Sequence, residues 1–262
     1  MMKQLSFLFK YIKYIVRAQG RKAAGNQFTA NLFTNILKDR KQYPAYSVID
    51  ESRTNFLTSE EYLDVIDYGA GPVSGMKKKR AVKAIALSSG KSMKYTRLLF
   101  RLVHFFRPAN IIELGTSLGI TTIAFAEANP SASITTLEGC PATGSLAKAN
   151  FETHNHNNIR LITGRFDETL PEILKTAPRL DLVFFDGNHR KDPTIRYFNL
   201  CLPFAHENSV FIFDDIHWSK EMEDAWNIIR NTPSVSLTVD LFFLGLVFFR
   251  KDLPSQSLIL RF

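Results

Sequence analysis

The sequence predicts an α/β protein: a parallel sheet with helices on both faces, an antiparallel hairpin at one edge, and a mainly helical N-terminal extension. Three observations carry this. From residue 109 onward, short apolar runs alternate with helix-forming stretches. Acidic residues stand at or near the ends of four runs, at Glu113, Glu138, Asp186 and the pair Asp214-Asp215. Finally, two extended runs, 235–243 and 246–250, are joined at Gly245 with no helix between them.

In chain order, residues 3–17 fit a helix with Leu5, Leu8, Phe9, Ile12, Ile15 and Val16 on one face. Lys3, Lys10, Lys13 and Arg17 fall on the other. Lys10 and Lys13 interrupt the apolar run and no small-residue cleavage site follows, which disfavours a signal peptide. Such a helix suits a membrane interface, and equally its own domain or a second subunit. Residues 26–66 read as helical or irregular, with a break at Tyr43-Pro44. Residues 67–75 imitate a D-x-G-x-G nucleotide loop, but Pro72 and the basic run 77–80 argue for a substrate-side or linker loop. Residues 80–107 read as one or two helices, with Leu98, Leu99, Leu102, Val103 and Phe106 at helical spacing. Pro108 ends them.

The organising stretch follows. Ile111, Ile112 and Leu114 form a buried strand, residues 115–119 a small-residue turn, and residues 121–128 a helix. A strand, glycine turn and helix aim backbone N–H groups at a polar or anionic ligand. Further strands fall at 133–137, 159–163, 180–185 and 210–213, and helices at 142–153, 168–175, 193–205 and 221–230. The expected division is an extension over 1–80 and the α/β domain over 81–262.

Composition sets outer limits. A hydrophobic fraction of 45% and 22 Phe promise an aromatic core. Cys140 and Cys201 lie far apart, which suggests a reducing compartment and gives no disulfide framework or metal spacing. No run of 18 apolar residues offers a spanning helix. Residues 1–108 hold 20 basic and 7 acidic side chains, a balance of +13, whereas the remainder balances at −5. The basicity therefore belongs to the N-terminal part, where it suits an acidic surface or an anionic substrate.

The glycine spacing selects the ligand. Glu113-x-Gly115-x-x-x-Gly119, with no Lys after it, fits neither a dinucleotide fingerprint nor a P-loop. It resembles motif I of class I S-adenosylmethionine-dependent methyltransferases, in particular E-h-G-x-x-x-G-x-[ST] of the catechol and caffeoyl-CoA O-methyltransferases, with Thr121 at the last position. The resemblance implies a Rossmann-like seven-stranded sheet ending in an antiparallel hairpin. It assigns S-adenosylmethionine to Glu113, Gly115, Ser117, Gly119, Thr121, Glu138, Phe166, Asp167 and Asp186, with Glu138 on the ribose and Phe166 and Asp167 beside the adenine.

Asp186, Asp214 and Asp215 should meet at one rim, where clustered carboxylates repel unless a cation or protons hold them. Mg²⁺ or another divalent cation suits such oxygen donors. The cation-dependent O-methyltransferases resemble this sequence there, with Asp and then Asp-Asn-x-x-Trp; Asp215 stands where Asn is usual. His189, three residues after Asp186, occupies the position of a basic Lys in those enzymes, and an imidazole can take a proton near neutral pH. His217 is a second candidate base, and His154 and His156 have no expected chemistry.

The resulting expectation is an O-methyltransferase acting on a small-molecule or glycan- or lipid-linked hydroxyl acceptor. A nicotinamide oxidoreductase, and a non-catalytic membrane-surface protein that kept the fold, are the alternatives. Residues 1–22 are a candidate contact for an anionic membrane surface, and a homodimer is a further candidate assembly. Nucleic acid is disfavoured, since the Asn/Asp-Pro-Pro-Tyr motif of amino methyltransferases is absent. The expected location is cytoplasmic, or peripheral to the inner face of a membrane.

Overall fold

The computed structural model describes residues 2–21, 25–66, 77–88, 91–177 and 179–262; the glycine-rich loop 67–75 lies outside them. The elements are α1 (Met2–Arg17), α2 (Gln27–Leu32) with a π-helical turn (Phe33–Leu37), α3 (Ala45–Leu57), β1 (Tyr62–Ile66) and β2 (Lys77–Ala81). Next come α4 (Val82–Ser88), α5 (Met93–Phe106), β3 (Asn110–Leu114), α6 (Ile120–Ala128), β4 (Ser133–Glu138) and α7 (Pro141–Thr153). The chain continues through β5 (Ile159–Thr163), α8 (Phe166–Leu174), β6 (Leu180–Phe185), α9 (Lys191–Cys201) and β7 (Ala205–Asp214). It ends with α10 (Lys220–Arg230), β8 (Leu237–Asp240), β9 (Leu244–Phe248) and β10 (Gln256–Ile259). Two compact units result, Arg40–Thr176 and Met1–Asp39 with Ala177–Phe262.

In the unit Arg40–Thr176, β3, β4 and β5 pair in parallel, with Leu114 beside Leu137 and Glu138 beside Thr163. Four of the five β3 residues are buried, the pattern of a strand covered on both faces. Helix α6 is accordingly apolar nearly all round, whereas α5 buries Leu98, Leu99, Leu102 and Val103 along one stripe, as its spacing predicts. Arg107, in the left-handed region at φ 50°, closes α5 just before Pro108. Asn150 of α7 donates from Nδ2 to Ser52 Oγ at 2.9 Å and to the Leu118 carbonyl at 3.2 Å, so α3, α7 and the glycine turn share one buried polar tie.

The sequence reading of this region needs one correction. Residues 62–66 and 77–81 form an antiparallel hairpin rather than helical or irregular chain. A run of Lys-Lys-Lys-Arg carries no hydrophobic period, so its strand form depends on its partner. That partner is held in turn, because Leu63 and Val65 pack on Val82 and Ile85.

In the unit Met1–Asp39 with Ala177–Phe262, strands follow the order β10-β8-β9-β7-β6. β6 and β7 are parallel, and β8 and β9 form the expected antiparallel hairpin, with β9 on β7. The expected aromatic core is here: Phe185 and Phe213 stack at 4.4 Å, and Phe198 meets Phe213 edge-on at 5.9 Å. Two details differ. Gly245 lies inside β9, where a Cβ would stand 2.6 Å from Trp226 Cζ3; the joint is 241–243, turned by Phe242 at φ 72°. An unexpected strand, β10, adds in parallel beside β8; four residues are too few to show a period.

Helix α1 docks through an aromatic edge. Phe7 lies 5.2 Å from Phe242, the Tyr14 hydroxyl donates to the Leu260 carbonyl at 2.6 Å, and Lys10 pairs with Glu223 at 3.0 Å. Among the described residues, no helix is long and apolar enough to cross a membrane.

Candidate functional site

The glycine turn sits at the carboxyl end of β3, where open α/β sheets bind ligands. Gly115 at φ 109°, Ser117 at φ 50° and Gly119 at φ 78° reverse the chain within five residues. Gly119 is the N-cap of α6, and a Cβ there would lie 2.8 Å from Phe151 Cζ, so helix and turn close up only around glycine. The amides of Gly115 and Thr116 donate to the Leu137 carbonyl at 2.9 and 3.1 Å, and that of Gly119 to the Thr116 carbonyl at 2.9 Å. These N–H groups hold the turn instead of facing a ligand. The donors left at this end are those of the first turn of α6, which has no side-chain cap.

Glu138 ends β4 and fastens the turn from the neighbouring strand. Its Oε2 accepts from the Ser117 amide at 2.8 Å and its Oε1 from the Cys140 amide at 2.9 Å. The two amide bonds fix the carboxylate at the end of β4, beside the turn. Gly115, Ser117, Thr121, Glu138, Phe166 and Asp167 are all partly exposed, and they line the carboxyl ends of β3, β4 and β5. A nucleoside with vicinal hydroxyls and a flat base suits this arc. Phe166 and Asp167 open α8, two residues earlier than the predicted helix, preceded by Gly164 at φ 152°.

Glu113 plays a different part. It has no exposed surface, so it serves the turn from beneath. Its Oε2 accepts from Thr136 Oγ1 at 2.7 Å and from Thr122 Oγ1, and Thr136 in turn meets Thr116 Oγ1 at 2.6 Å. Its Oε1 is buried with no hydrogen-bond partner among the described residues. Burial pushes the carboxyl up to about 7, against the pull of Thr122, Thr136 and the Lys91 charge. The threonines were missed in the sequence, although a signal exists: aligning the carboxyl ends of β3 and β4 places Thr136 beside Glu113.

In the other unit, Asp186 follows β6 and Asp214 ends β7. Asp186, His189 and Asp214 bring one ligating atom each within 4.8 Å of one another, with His189 Nε2 3.8 Å from Asp186 Oδ1. Asn188, at φ 58°, turns the 186–190 loop and donates from Nδ2 to the Tyr197 hydroxyl at 3.2 Å. The expected trio was Asp186, Asp214 and Asp215; here His189 takes the third place and Asp215 stands outside this group. Asp215 lies just past the end of β7 and turns the chain at φ 54°, its amide donating to the Phe243 carbonyl at 2.7 Å. An oxygen, nitrogen and oxygen donor set fits a divalent cation and admits borderline metals as well as Mg²⁺.

His217 is engaged on both ring nitrogens, Nε2 with Asp240 Oδ2 at 2.7 Å and Nδ1 with Glu223 Oε1 at 3.4 Å. Burial works against a charged ring, but the two carboxylates outweigh it and hold the pKa above its ordinary value. A ring clamped in this way is held between two carboxylates that favour its charged form. Its stabilisation is complete below the unfolded value of about 6.5 and is lost as pH rises through the raised folded value. The melting temperature of His217→Gln should therefore fall furthest below wild type near pH 5.5, and the gap should narrow toward pH 9. An equal gap at both pH values would remove the charge from this account.

Comparison with known proteins agrees with this arrangement. Residues 112–216 match a family model described as a methyltransferase domain. A catechol O-methyltransferase of Niastella koreensis is 29% identical over 136 residues, covering 51% of this chain and 59% of that protein. An uncharacterized protein, R132, of Acanthamoeba polyphaga mimivirus is 32% identical over 83 residues, covering 30% and 38%. The chain thus spans under two thirds of these relatives' lengths. The SAH-bound methyltransferase PaMTH1 of Podospora anserina superposes with a TM-score of 0.60 at 15% identity, covering 86% of this chain and 97% of that one. An O-methyltransferase of Bacillus cereus in complex with SAH gives 0.54 at 19% identity, covering 80% and 92%. Residues 112–216 thus resemble a methyltransferase domain, and the chain shares its fold with these solved methyltransferases.

Proposed function

We propose that this chain is an S-adenosylmethionine-dependent O-methyltransferase acting on a hydroxyl acceptor of small-molecule size, free or carried on a glycan or lipid. The observation that carries the reading is Glu138, a carboxylate fixed by the Ser117 and Cys140 amides beside a glycine turn. We assign it to both ribose hydroxyls of the cofactor. Phe166 and Asp167 are its partners toward the adenine, and Asp186 is assigned to the methionine end of the cofactor.

S-adenosylmethionine supplies an electrophilic methyl carbon on a sulfonium sulfur. The acceptor oxygen bonds to that carbon as the carbon–sulfur bond breaks, and the hydroxyl proton must leave. His189 is assigned to take it. Asp186, His189 and Asp214 are alternatively the ligands of a divalent cation, which would lower the pKa of a bound hydroxyl. One ring nitrogen cannot both ligate and accept a proton, so the two roles of His189 are distinguishable. The protein's remaining contribution is alignment.

The test is calorimetric titration with S-adenosylmethionine, S-adenosylhomocysteine and NAD. The first two should bind and NAD should not. Because a cofactor cation above the turn favours ionised Glu113, affinity for S-adenosylmethionine should rise between pH 6 and 8. Binding of NAD alone would replace this reading with a nicotinamide enzyme. A separate proposal concerns residues 1–22, whose charge suits the anionic inner face of a membrane in a cytoplasmic protein; a homodimer is the competing use of that helix.

A further inference from the structure

Helix α1 has two apolar faces, and only one of them is used. Tyr14 and Ala18 are buried, and Phe7 packs on Phe242 and Phe243. On the opposite side Leu8, Phe9, Ile12 and Val16 are 54, 70, 52 and 78% exposed. Their spacing puts them on one stripe along the helix. The stripe cannot roll inward. Tyr14 is tied to Leu260, and just past the helix the Gln19 amide donates to the Ile259 carbonyl at 2.8 Å while the Arg261 amide donates to the Gln19 carbonyl at 2.9 Å. Lys10 is held by Glu223 on the docked side.

Charge identifies the occupant. Exposed Lys13 and Arg17 flank the stripe, and the first acidic residue of the chain is Asp39, after seven basic ones. A second copy laid along this stripe would bring like charges together with no acid on either helix to offset them. An anionic lipid surface offers the opposite charge and an apolar layer for the four side chains. We propose that the outward stripe of α1 seats the protein on an anionic bilayer as a fixed interfacial helix, clamped to its own domain from behind. This inference stands apart from the methyl-transfer reading and fails or holds independently of it.

The test is co-sedimentation of the full-length protein with phosphatidylcholine vesicles, with and without phosphatidylserine. Wild type should bind only the anionic vesicles, and added salt should weaken binding. Phe9→Asp/Ile12→Asp, at two exposed positions, should bind roughly 100-fold or more weakly, since each buried apolar side chain contributes about a tenfold factor or more. Lys13→Glu/Arg17→Glu should also lose the anionic vesicles. Circular dichroism melts and S-adenosylmethionine titration should match wild type in both variants. Wild-type protein that stays in the supernatant, or variants that bind as wild type does, would overturn the proposal. A wild-type dimer that Phe9→Asp/Ile12→Asp splits, with no vesicle binding, would give the stripe to a second copy instead.

Discussion

Turnover on a hydroxyl acceptor is expected to fall roughly 10²–10⁴-fold in His189→Ala, the range for losing a positioned general base. Binding of S-adenosylmethionine should be nearly unchanged, because the assigned cofactor residues other than Asp186 lie in the unit Arg40–Thr176. The response to metal separates the two roles of His189. If Asp186, His189 and Asp214 ligate a cation, chelator should stop wild-type turnover, added Mg²⁺ or Mn²⁺ should restore it, and Asp214→Ala should lose it. Asp215→Asn, at a position outside that group, should keep metal-dependent activity. If His189 is the base at a metal-free site, chelator should leave wild type untouched, and the pH profile of turnover should lose its acidic limb in His189→Ala. Full activity of His189→Ala in chelator would remove both roles and leave alignment alone.

Glu138→Ala is expected to weaken S-adenosylmethionine by roughly 10²–10⁴-fold, from two lost hydrogen bonds to a charged acceptor at about 1.5–3 kcal/mol each. The same substitution leaves the Ser117 and Cys140 amides without their acceptor. The melting temperature should therefore drop as well. Glu138→Gln keeps one acceptor oxygen and should lie between the two in both measurements. Unchanged affinity in Glu138→Ala, measured by calorimetry at a temperature where it is folded, would confine Glu138 to holding the turn.

Much of this was legible in the sequence. Short apolar runs bounded by turn residues, such as 111–114 and 182–185, read as strands buried on both faces of a sheet. The Glu113-x-Gly115-x-x-x-Gly119 spacing located the turn and selected its ligand class, since each glycine answers a local backbone requirement. The terminal hairpin followed from two extended runs with no helix between them. In each case the determining interactions lie within a few residues of one another.

What only the tertiary structure decided depends on partners distant in the chain. β2 and β10 have no period of their own and become strands because a neighbour supplies the hydrogen bonds. Glu113 was assigned to the cofactor by position, yet its depth and the threonines around it make it a support beneath the turn. The composition of the acidic group depended on the loops after β6 and β7, which turn at Asn188 and Asp215 and bring His189 together with Asp186 and Asp214. For α1 the sequence determined an amphipathic helix, but a helical period says only that a face is apolar. Which face is covered was decided by Phe242 and Leu260, more than two hundred residues away along the chain.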